Sequence, residues 1–184
     1  YTTKEFPEMY DHIKKVQKMI YPLKIDTMQF DYDYYFSEHI KTKGKNKGKK
    51  GYGWCDMTMR WCTGEKKSCI RKYMRNFKKE DIVNYQGIAY DERERTKKNK
   101  FLPYRVEYPL VDWGITEKEA LEYCYSKGLD WGGLYEKFHR VSCWCCPLSR
   151  LGELETLYND FPELWQKLEE MDKKSLRKFR RDYS

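Results

Sequence analysis

Apolar residues recur along the chain at two different periods. Over residues 7–20, Met9, Ile13, Val16 and Ile20 fall on one face of a helical repeat, with Pro7 at its start. Leu23 to Tyr32 alternates instead, setting Leu23, Ile25 and Phe30 among polar neighbours, and predicts a strand. A short helix is expected over 33–41. The Lys/Gly run from Lys41 to Gly53 then reads as a mobile surface loop. Residues 65–77 predict a helix that buries Cys69, Ile70, Tyr73, Met74 and Phe77. Strands are predicted at Ile82 to Ile88 and Tyr104 to Leu110, separated by a charged turn from Asp91 to Lys100. Thr116 and Glu119 have the spacing of a capping box, opening a helix that ends at Gly128. Two further helices, over 149–158 and 162–171, complete the pattern, the second entered through Asp160-Phe161-Pro162.

Helices and strands thus alternate, which predicts an α/β fold with parallel strands in one layered domain over residues 1–184. Composition supports a folded chain: Tyr occurs 17 times and Trp six times in 184 residues, far from the aromatic-poor composition of disordered segments. The net charge of +8 favours an anionic partner, a nucleotide or a nucleic acid, and much of it lies in the run Lys41 to Lys50. No apolar stretch reaches the ~20 residues that span a bilayer, so a soluble chain with no membrane partner is expected.

Seven cysteines, clustered rather than spread, do not resemble the framework of a secreted scaffold and point to the reducing cytoplasm. Cys143, Cys145 and Cys146 occupy three of four consecutive positions. Cys143 and Cys146 form a C-x-x-C pair, a spacing that aims two sulfurs at one ion and suits zinc or an iron–sulfur cluster. A four-coordinate site needs further ligands, and Cys62, Cys55, Cys124 and His139 are the candidates. Cys124 and Cys69 also sit at apolar helix positions, where free cysteine packs as a small hydrophobe. His139, after Phe138, reads as a surface or capping group. A redox C-x-x-C competes with the metal reading, although such motifs stand at a strand-to-helix turn near a chain start.

Two other segments carry candidate anion chemistry. Arg60-Trp61-Cys62-Thr63, followed by Lys66 and Lys67, places a thiol, a hydroxyl and ammonium groups at a helix start. Gly87 to Glu92, with Arg93 and Arg95 behind, follows a predicted strand, where open α/β sheets bind ligands. Taken in order, these residues resemble the phosphoadenosine phosphosulfate reductase family, within the PP-loop adenine nucleotide hydrolases. Glu5-Phe6-Pro7-Glu8 is similar to the family's E-F-P-E segment, and Arg60 to Thr63 with the following lysine to R-W-C-T-x-x-x-K. Gly87 to Arg95 resembles G-I-x-x-D-E-x-x-R, Pro109 to Trp113 resembles P-L-x-x-W, and Leu134-Tyr135 with Arg140 to Pro147 resembles the L-Y…G-C-x-x-C-P ending.

The resemblance implies a Rossmann-like sheet that binds ATP, adenylyl sulfate or its 3′-phosphorylated form, in sulfonucleotide reduction or sulfur transfer. It implies that Cys62, Cys143 and Cys146 fall where iron–sulfur members place cluster cysteines, with Cys145 and Cys124 competing for the fourth position. Gly87, Asp91, Glu92 and Arg95 would lie near the nucleotide, and Thr63, Lys66 and Lys67 would line the same pocket. The family's S-G-G-x-D-S phosphate loop and its E-C-G-x-H tail are absent from the chain, and Ala89 stands where many reductases carry arginine. The loop would precede Tyr1, so the chain is expected to be an inactive portion of an enzyme or a protein that has lost ordinary nucleotide hydrolysis. Two alternatives follow: thiolation or phosphorothioation of nucleic acid, with residues 41–50 along the phosphates, and a non-catalytic metal-stabilised binding module.

Overall fold

The computed structural model describes residues 2–99 and 104–180. In chain order it contains α1 (Pro7–Met19), a π-helical turn (Tyr34–Glu38), α2 (Trp61–Met74), β1 (Val83–Tyr85), a 3-10 segment (Tyr90–Asn99), β2 (Arg105–Glu107), α3 (Pro109–Asp112), α4 (Glu117–Ser126), α5 (Leu134–Lys137), α6 (Leu151–Asp160) and α7 (Pro162–Lys174). The class is mixed α/β. Among the described residues the two strands form one parallel pair, with Val83 opposite Arg105 and Tyr85 opposite Glu107. The described residues divide into two compact units, one of residues 1–70 and 131–184, the other of residues 71–130.

The first unit holds an aromatic core. Phe6 packs between Phe138 and Phe161, with ring centres 5.0 and 5.2 Å away. Trp54 sits between Phe36 and Phe179, and its indole N–H donates to Asp172 of α7 at 2.6 Å. Trp61 opens α2 with its ring buried and its indole N–H on the Gly53 carbonyl at 2.9 Å. Leu134, Leu157 and Leu168 close the core from α5, α6 and α7. The helical periodicity of α1 holds, since Met9, Ile13, Val16 and Ile20 are all half-buried. Pro7 occupies its first turn, where the missing N–H costs nothing.

The expected strand over Leu23 to Tyr32 does not form. The segment carries no ladder; the Gln17 side chain instead donates to the Leu23 carbonyl and accepts from the Ile25 amide, both at 2.7 Å. Backbone groups that alternation assigned to a neighbouring strand are met by one α1 side chain, and Leu23 is left exposed.

In the second unit, the charged turn winds into the 3-10 segment, and the last residue of the expected turn, Lys100, lies outside the described residues. The capping box forms as its spacing predicts: the Glu119 amide donates to the Thr116 hydroxyl, and the Glu119 carboxylate accepts from the Thr116 amide at 2.8 Å.

Candidate thiolate site

The segment between Cys55 and Cys62 turns back on itself. Asp56 drives the turn, its Oδ1 accepting from the Thr58 and Met59 amides at 2.8 and 2.7 Å, while Arg177 pairs with its other oxygen. These bonds hold the Asp56 carboxyl well below the usual carboxylate range. The reversal sets Cys55 against the first turn of α2, which carries Cys62. The thiol of Cys55 hydrogen-bonds to both Cys146 and Cys62, and this pushes its own proton affinity up. The same bonds lower the pKa of Cys62 and of Cys146. The Thr63 amide, Lys66 and Arg60 lower Cys62 further, and the Leu148 amide and Arg60 do the same for Cys146.

Cys143 stands beside this trio. Its sulfur lies 3.4 Å from the Thr2 hydroxyl and 4.0 Å from the Lys66 ammonium. Burial nevertheless pushes its thiol up, and the charge of Cys146 adds to the shift. Tyr32, buried in the core, faces Cys145, Cys55, Cys62 and Cys143, and its hydroxyl is held protonated by burial and by those neighbours.

The chain's first described residues frame the cluster. Thr2 is fully buried, and its hydroxyl also donates to Glu5 at 2.8 Å. Glu5 in turn pairs with Lys66 at 3.4 Å. Trp144 anchors the segment by donating its amide to the Lys4 carbonyl at 3.0 Å. Lys4 is itself buried, paired with Asp33 at 2.9 Å and 5.7 Å from the rings of both Tyr32 and Trp144. Thr3 between them has φ 64°, a left-handed conformation that a β-branched residue adopts only when its surroundings impose it.

Of the predicted ligands, Cys62, Cys143 and Cys146 are therefore brought together, and Cys55 joins them. Cys145 is fully buried in the core, and its thiol is pushed well up by burial and by the charges of Cys143 and Cys146. Cys124 lies half-buried on α4 in the second unit. His139 is exposed. All seven cysteines are free thiols. Among the described residues, no group of three or more Cys, His, Asp or Glu side chains is placed to hold a metal ion. Cys55 is the thiol that meets two others, Cys62 and Cys146, through hydrogen bonds.

The predicted nucleotide residues divide between the two units. Thr63, Lys66 and Lys67 follow Cys62 on α2. Lys66 and Glu5 border a cavity of about 310 Å³ whose walls include Ile25, Phe30, Cys69 and Ile70. Gly87, Asp91, Glu92 and Arg95 belong to the second unit. There Asp91 accepts from the Glu117 amide at 3.2 Å, capping α4, and Glu92 is paired with Arg95. A Cβ on Gly87 would meet nothing within 4 Å. Sequence reasoning left Thr2, Lys4 and Tyr32 unassigned, because each reaches the cysteines only through the tertiary fold.

No known protein family matches the chain, and no solved structure matches it. Two uncharacterized proteins of Methanocaldococcus jannaschii are similar to it. MJ0066 is 26% identical over 141 residues, 71% of this chain and 29% of that protein. MJ0973 is 26% identical over 168 residues, 89% of this chain and 38% of that protein. The chain thus spans less than half the length of either relative. No helix among the described residues is long and apolar enough to cross a membrane.

Proposed function

We propose that the chain carries the thiolate centre of a Rossmann-like enzyme, similar to the phosphoadenosine phosphosulfate reductases, that binds an adenine nucleotide in cytoplasmic sulfur chemistry. One observation carries the reading: Cys55 is hydrogen-bonded to both Cys62 and Cys146, with Cys143 beside them and Lys66 reaching from that sulfur to the rim of a cavity.

Four cysteines from three stretches of chain have the ligand chemistry of zinc or an iron–sulfur cluster and would have to draw together to hold one, and the cations of Lys66 and Arg60 would offset the charge that such a set accumulates. Cys55, Cys62, Cys143 and Cys146 would hold the group, with Cys145 withheld by its burial in the core. When bound, zinc would supply a closed structural centre, whereas a cluster would supply redox and electrostatic chemistry.

The nucleotide would use the cavity beside Lys66. Its volume of about 310 Å³ is at the lower end for a small-molecule site, and its walls are largely apolar with Glu5, Asp26, Thr27 and Lys66 as polar groups. Lys66 is half-exposed, so its ammonium can turn from Glu5 toward an incoming phosphate or sulfonyl group. Glu5 and Thr2 keep that lysine and Cys143 in register.

Calorimetric titration with ATP, adenylyl sulfate and its 3′-phosphorylated form tests the proposal. Binding of at least one is expected, weakened roughly tenfold or more by Lys66→Ala and unchanged by Cys124→Ser. Absence of binding to all three by metal-loaded protein would overturn the nucleotide reading.

A further inference from the structure

The lysine run from Lys41 to Lys50 is built into the fold as a finger. Ile40 and Lys50 form an antiparallel bridge, Lys41 donates its amide to the Lys49 carbonyl at 3.0 Å, and Gly48 donates to Lys41 at 2.8 Å. Gly51, at φ 62°, closes the base and donates to the His39 carbonyl at 2.8 Å. A Cβ there would lie 2.4 Å from the Phe36 carbonyl oxygen, so only glycine fits. Residues 41–53 contain no acidic side chain, and Lys43, Lys45, Lys47 and Lys49 are all exposed.

The base of the finger is an aromatic stack. Trp61 is its buried end; Tyr52 lies on it at 5.5 Å and 24°, and His39 lies on Tyr52 at 5.1 Å and 28°. Tyr35 runs beside them, 5.0 Å from His39, and exposed Tyr34 stands edge-on to both. The stack therefore rises from the core and ends in half-buried rings at the foot of a cationic hairpin. Carboxylates stand around it: Glu38, paired with Lys50 at 3.3 Å, Asp31, which accepts from the Tyr34 amide at 2.9 Å, and Glu65, which adds to the rise that burial causes in the pKa of Tyr35. Lys41 lies 5.7 Å over the Tyr52 ring, and its pKa is lowered by burial and by the nearby charges of Arg177 and Lys49. Like charges held this close by a hairpin are relieved by an anion laid across them.

We propose that this finger and stack bind a single strand of nucleic acid, the lysines following its phosphates and an unpaired base stacking on the outer rings at His39 and Tyr34. A lysine row alone would take any polyanion, duplex included. Rings displayed at its foot can be used only by bases whose faces are free, which selects a single strand. RNA and DNA strands share this chemistry. The finger shares no residue with the four cysteines, so the thiolate reading and this one can fail separately.

Fluorescence anisotropy on the chain tests it, using labelled RNA and DNA strands of roughly 12 nucleotides and the matching duplexes, between about 50 and 200 mM salt. Strands are expected to bind at least about tenfold more tightly than duplexes. The slope of log affinity on log salt should be near −0.7 for each phosphate neutralised. Replacing Lys43, Lys45, Lys47 and Lys49 together by Gln should remove most of that slope. Tyr34→Ala, at an exposed position, and His39→Leu should each weaken strand binding roughly tenfold while leaving the slope intact. Preference for RNA or for DNA would identify the natural strand, and equal binding would indicate either; all three outcomes support the proposal. Equal affinity for strand and duplex, or a lysine variant that binds like the parent, would overturn it.

Discussion

Thr2 illustrates how much of the site rests on single side chains. Its buried hydroxyl serves both Glu5 and Cys143, so the near-isosteric Thr2→Val leaves a half-buried carboxylate short of a donor. A loss of about 1–3 kcal/mol is expected in urea denaturation. Asp172→Ala should cost a similar ~1–3 kcal/mol by stranding the buried Trp54 indole N–H, whereas Asp172→Asn retains an acceptor and should cost less. Cys143 and Cys146 were legible as ligand candidates from their C-x-x-C spacing, and Cys62 from the resemblance. Cys55 was one candidate among several. Nothing local distinguishes it from Cys124 until the Asp56 turn reverses the chain and delivers its thiol to the other two sulfurs.

Among elements, those with their own start and stop chemistry were read well. The capping box at Thr116 and Glu119, Pro7 on α1 and the Phe161-Pro162 junction into α7 are local signals that need no partner. Leu23 to Tyr32 failed because a strand requires a neighbour, and alternation does not supply one. The capping box gives a pH prediction. The Thr116 amide and hydroxyl hold the Glu119 carboxyl below its ordinary 4.5, so the cap's contribution is complete above that value. It is lost as pH falls through the lower folded-state value. Amide exchange across α4 should therefore accelerate in acid, after correction for intrinsic rates, and Glu119→Gln should abolish that dependence. At the finger, Gly51→Ala meets both a positive φ and the Phe36 carbonyl. It should lower stability by more than about 1 kcal/mol in thermal melts, whereas Gly44→Ala, with open space around it, should cost less.

For the whole molecule, alternating helices and strands correctly gave a mixed α/β class and a parallel pairing, seen in β1 and β2. The layering expected from that alternation, and the Rossmann-like sheet implied by the resemblance, are properties of sheet extent, which local pattern does not encode. The candidate anion-binding residues were expected in one pocket because they follow one another in family order. In the structure Lys66 belongs to the unit that holds Cys62 and Cys143, while Asp91, Glu92 and Arg95 make contacts inside the second. Four thiols are proposed to bind one metal group. X-ray absorption at the metal edge of anaerobically purified protein tests this most directly. The expected result is zinc or iron in a sulfur shell at about 2.3 Å, lost in Cys55→Ser and retained in Cys124→Ser. Metal-free protein with all seven thiols open to alkylation, or a sulfur shell that survives Cys55→Ser unchanged, would contradict it.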